Sequence, residues 1–87
     1  MTIKTKTIGF QGQNLKTFDM GLSVALLTCG YKMLDLDKTN PKRVLFVFRR
    51  SPGLDRDIGK YWSGDLLLDA RTLFDNLKMI KNRLYSV

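Results

Sequence analysis

"YKMLDLDKTNPKRVLFVFRR", residues 31 to 50, contains two apolar runs with a turn-forming segment between them, and it decides the fold class. "YKMLDLD" (31–37) and "RVLFVFRR" (43–50) read as the strands of a hairpin, and "KTNPK" (38–42) as the loop. A ladder that sets Leu36 against Val44 also sets Leu34 against Phe46 and Lys32 against Phe48 on one face. The other face then pairs Asp37 with Arg43, Asp35 with Leu45, Met33 with Val47 and Tyr31 with Arg49. Opposite charges meet near the turn and apolar residues meet in the middle. The second strand is apolar on both faces, which predicts a central position in the sheet.

Helices are predicted on both sides of this hairpin. Asp19 is a natural N-cap for a helix over residues 20–29, with Met20, Val24 and Leu27 on one face and Gly30 at its end. After the hairpin, Ser51 and Pro52 read as the cap and first residue of a second helix. Leu54, Ile58, Tyr61 and Trp62 form its buried stripe, and Gly64 ends it. "LLL" (66–68) suggests a short strand before Asp69 caps the last helix. Leu66, Ala70, Leu73, Leu77, Ile80 and Leu84 recur at spacings of four and three, with Leu67 and Phe74 widening the stripe. Residues 1–16, including the alternating "TIKTKTI", read as an edge strand or a mobile basic arm, and residues 17–87 as a single compact domain. The expected fold is α+β, an antiparallel hairpin-based sheet packed by helices in the order (β)-α-β-β-α-(β)-α.

Composition narrows the chemistry. The chain has 87 residues, 44% of them hydrophobic, which is enough for one domain with a modest core. Cys29 is the single cysteine, so no intramolecular disulfide can form and a reducing compartment suits the chain. No stretch has the length of a membrane span and no secretory signal is seen. A soluble cytoplasmic protein with no membrane partner is expected.

There is no histidine and no glutamate, which removes the usual general bases and the partner that would activate Cys29. One cysteine cannot supply a zinc site. Asp35 and Asp37 share a strand face and could hold magnesium, but pairing of Asp37 with Arg43 is the simpler reading. No P-loop or dinucleotide motif is present. The expectation is a protein that is not an enzyme, with no catalytic residue, metal or cofactor.

The formal net charge of +7 favours anionic partners. No acidic residue lies between Lys38 and Leu54, and the ends of the second strand are both basic, roughly 20 Å apart at strand rise. Arg43, Arg49 and Arg50, joined by Arg56 and Lys60 on the following helix, make a candidate phosphate-contacting surface. No helix-turn-helix, zinc finger or RNP pattern accompanies them, and basic residues beside an apolar strand also serve as solvated gatekeepers. Nucleic acid and an acidic protein partner are therefore both open, as is a homodimer.

"FDMGLSVALLTCGYKMLDLD", "RVLFVFRRSPGL" and "YWSGDLLLDARTLFDNLKMIKNRLY" carry Asp19, Gly30, Tyr31, Phe46 to Phe48, Tyr61, Trp62, Asp69 to Arg71, Leu84 and Tyr85. In this order they resemble an uncharacterised family of small proteins from phages, prophages and microbial metagenomes. The resemblance spans roughly residues 17–85 and is carried by structural positions. Arg49-Arg50 departs from it, since an acidic residue is expected there in relatives. The resemblance implies a mobile-element origin. The expected function is thus a small basic accessory protein that contacts nucleic-acid phosphates, or alternatively a protein-interaction module that dimerises or blocks a host or defence complex.

Overall fold

The computed structural model describes residues 14–86. Strand β1 (Leu15–Thr17) leads into helix α1 (Met20–Thr28), followed by β2 (Met33–Asp37), β3 (Leu45–Phe48), α2 (Leu54–Ser63) and α3 (Ala70–Tyr85). The three strands form an antiparallel sheet in the order β1-β3-β2. This is the expected α+β fold, with the doubly apolar strand β3 at its centre.

Asp19 caps α1 by accepting a hydrogen bond from the Leu22 amide at 2.8 Å. The helix ends on Gly30, whose φ of 99° is left-handed. There the Gly30 and Tyr31 amides donate to the carbonyls of Leu27 and Leu26, a Schellman closure. Phe46 and Phe48 of β3 enter the core with Leu22, Leu26, Leu36, Leu54 and Ile80. Each such side chain contributes about 1.5–3 kcal/mol by leaving water. Asn76 of α3 donates to the Thr28 hydroxyl of α1 at 3.1 Å, and that hydroxyl in turn donates to the Val24 carbonyl.

Five local expectations are corrected. The hairpin ladder is offset by two residues: Leu36 faces Phe46, Asp35 faces Val47 and Asp37 faces Leu45, with an irregularity between Met33 and Asp35. From Asp35 to Asp37 the even offset leaves each side chain on its expected face, so Leu36 still enters the core. At the irregularity Met33 faces Phe48, a shift of one, and Leu34 is exposed. The cause is the loop. The Asp37 carboxylate turns back to accept from the Thr39 amide (2.9 Å) and hydroxyl (2.6 Å), and Asn40 accepts from the Lys42 and Arg43 amides. Asp37 is therefore engaged within the turn and does not pair with Arg43.

Ser51 does not cap α2. The Leu54 amide donates to the Ser51 carbonyl at 3.2 Å, and Gly53 has φ 88° and ψ −13°. Ser51-Pro52-Gly53-Leu54 is thus a turn with proline and left-handed glycine at its centre, and the helix starts at Leu54, two residues later than expected. Residues 66–68 form no strand but cross in an irregular segment to Asp69, which caps α3 through the Thr72 amide at 2.8 Å. Trp62, expected in the core, is 63% exposed. The "TIKTKTI" segment lies outside the described residues, and the edge strand among them is Leu15–Thr17.

No helix among the described residues is long and apolar enough to cross a membrane.

Candidate interaction surfaces

The five residues expected to contact phosphates fall before β3, after it and on α2. Arg43 sits at the loop end of β3, with its guanidinium carbon 4.0 Å from the centre of the Phe18 ring, a cation–π contact. Arg49 lies past the other end of the strand, its amide donating to the Lys32 carbonyl and its side chain exposed. Arg50 pairs with Asp55 at 2.8 Å, and its Nε is buried with no partner among the described residues. Arg56 Nε lies 3.4 Å from Asp57 Oδ1. Lys60 is exposed in the last turn of α2, where it opposes the negative end of the helix dipole.

The start of α2, a natural place for an anion, already carries the carboxylates of Asp55 and Asp57 in its first turn. Asp57 also accepts a hydrogen bond from the Tyr31 hydroxyl at 2.5 Å. That bond, with the nearby Arg56 charge adding, holds the Asp57 carboxyl below its ordinary range. Burial of the phenol, reinforced by Asp57, pushes Tyr31 up to about 12. Two of the five candidate cations thus have carboxylate partners from the same helix.

The acidic pair on β2 is engaged locally as well. Asp35 Oδ1 accepts from the Leu36 amide at 2.8 Å, and Asp37 is held by Thr39. Among the described residues no three metal-ligating side chains come together. Cys29 is half-buried at the end of α1, and burial, with a smaller effect of Asp57, raises its thiol.

A second surface, not foreseen in the sequence, lies between α1 and α3. It is a groove of about 390 Å³ lined mainly by apolar groups. Gly21, Val24 and Ala25 form one wall, at helical spacing on α1. Leu73, Phe74 and Leu77 of α3 form the other, while Tyr61, Gly64, Leu66 and Leu68 close the end. The closure depends on how α2 stops: Gly64, with φ 83°, lets the Gly64 and Asp65 amides donate to the Tyr61 and Lys60 carbonyls. The chain then turns into "DLLLD", in which Leu66 and Leu68 line the groove and Leu67 does not.

Leu67 is 93% exposed and Phe74 59%. Trp62 packs edge-on against Tyr61, with ring centroids 5.0 Å apart and planes at 81°, leaving most of the indole in water. Three large apolar side chains are therefore exposed on or next to elements that form an apolar groove, the kind of patch that marks a contact surface. The sequence did contain a signal. Trp62 on α2, three consecutive leucines after it and Phe74 on α3 are more large apolar side chains than the elements around them bury.

Residues 12–86 match the family described as "Domain of unknown function (DUF5659)". No curated protein matches the chain, and no solved structure does.

Proposed function

We propose, for a chain that belongs to the DUF5659 family, a role as a non-enzymatic protein-interaction module that docks a partner on the apolar face around the α1–α3 groove. The observation that carries this reading is the coincidence of the groove with exposed Trp62, Leu67 and Phe74. Aromatic anchors beside a pocket are the usual energetic centre of a protein interface. The lack of histidine and glutamate supports a binding role over catalysis. Resemblance to small phage and prophage proteins supports a mobile-element accessory protein acting on a cellular complex.

A photo-reactive amino acid placed at position 67, and separately at position 49, tests the reading in cells. Protein adducts from position 67 support it. Their absence, with nucleic-acid adducts from position 49, would overturn it.

Nucleic-acid binding stands as the second reading, favoured by the +7 charge and by exposed Arg49 and Lys60, which have no carboxylate partner among the described residues. Labelled oligonucleotides titrated with the protein over a salt series test it. Several neutralised phosphates give a log–log slope of about −3 to −5.

A further inference from the structure

We infer that the groove face is self-complementary and that its occupant is a second copy of this chain, a proposal that rests on the docking reading above. Leu66 and Leu68 line the groove while Leu67, between them, projects away from it almost fully exposed. A fully projecting leucine is therefore flanked on both sides by residues of the groove wall. A two-fold axis near Leu67 carries the leucine of each copy over the groove of the other, the isologous arrangement of most small homodimers.

The area available suits a dimer. Trp62, Leu67 and Phe74 together expose on the order of 400 Å² of apolar surface. A standard interface takes about 800 Å² from each partner, about 60% of it apolar. The patch is thus close to the apolar share that one side of a dimer needs. A small chain with a modest core also gains stability by covering it.

Charge points to the same face. The whole chain carries +7, so two copies repel over most of their surfaces. Around the groove the balance differs. The charged residues next in sequence to the lining residues are Lys60, Asp65, Asp69, Asp75 and Lys78, and Arg71 and Lys81 stand one turn from Phe74 and Leu77 on α3, three acids against four bases. With its charges nearly balanced, this face repels a like-charged copy less than the chain's net +7 would.

Sedimentation equilibrium of the purified full chain, from low micromolar to several hundred micromolar, tests the inference. The apparent mass is expected to rise from the 10.0 kDa of the monomer toward twice that value. Leu67→Asp, at a position too exposed to disturb folding, should weaken association at least tenfold with an unchanged circular dichroism spectrum. Phe74→Ser should weaken it as well. A monomer at every concentration, or a dimer indifferent to both substitutions, would overturn the inference. Position-67 adducts onto a different protein would then show that the docking reading survives without it.

Discussion

The Tyr61 hydroxyl lies so close to Gly21 that a β-carbon at position 21 would stand 2.7 Å from its oxygen. This contact sets the angle at which α2 meets the first turn of α1, and with it the closed end of the groove. Burial of the ring raises the Tyr61 phenol, with the nearby Asp19 carboxylate adding to the effect, so it stays neutral beside the apolar wall.

Gly21→Ala should lower stability by roughly 1 kcal/mol, because overpacking of about 1–3 kcal/mol is only partly offset by better helix propensity. Adding Tyr61→Phe removes the nearest clashing oxygen and leaves the ring carbon at 3.9 Å, an ordinary contact, with Asp19 Oδ1 at 3.3 Å the tighter neighbour that remains. Denaturant unfolding of the two single variants and the double variant should therefore show marked non-additivity, with the double variant recovering most of the loss.

Burial of the Tyr31 phenol and its hydrogen bond to Asp57 give the fold a pH signature at both ends. Asp57 is lowered from 3.8, so its contribution is present above that value and is lost as pH falls through the native one. Tyr31 is raised from 10.0 to about 12, so its contribution is full below pH 10.0 and disappears as pH climbs toward about 12. Urea midpoints on either side of pH 10.0 should fall for the native chain and fall less for Tyr31→Phe, while Asp57→Asn should flatten the acid limb.

Core and surface leucine-type residues should separate cleanly. Ile80 is fully buried, and Ile80→Ala should cost about 2–5 kcal/mol. Leu67→Ala in a dilute, monomeric sample should change stability by less than about 0.5 kcal/mol. Thermal melts of both variants at matched low concentration check the contrast.

The two adjacent arginines should differ if the chain binds nucleic acid at all. Arg50 is paired with Asp55, whereas Arg49 has an exposed side chain with no carboxylate partner among the described residues. Arg49→Ala should flatten the salt dependence by about one unit, and Arg50→Ala by less. Equal effects would show that Asp55 releases Arg50 on binding.

Much of the fold was legible because periodicity carries it. β3 is apolar on both faces and is the central strand, Asp19 and Asp69 cap their helices, and Gly30 ends α1. What failed depended on competition between local bonds. Asp37 meets Thr39 in place of Arg43, and Pro52-Gly53 makes a turn where Ser51 was expected to cap. A β-register follows from such turn details, and composition does not encode them. The groove is not legible in the sequence for a different reason: residues 66 to 68 are all leucine, and only the fold decides which of them line it. The arginine surface was named from charge in sequence, which cannot show that Asp55 and Asp57 lie within ion-pair reach of Arg50 and Arg56.

Hydroxyl-radical footprinting of the full chain over a concentration series tests the contact face most directly, because one side chain away from the groove lining serves as an internal reference. Tyr85 is 79% exposed and does not line the groove. Oxidation of Trp62 and Phe74 relative to Tyr85 is expected to fall several-fold as concentration rises and to remain constant in Leu67→Asp. Unchanged ratios at every concentration, or protection of Tyr85 with Trp62 still open to solvent, would contradict the assignment of this face.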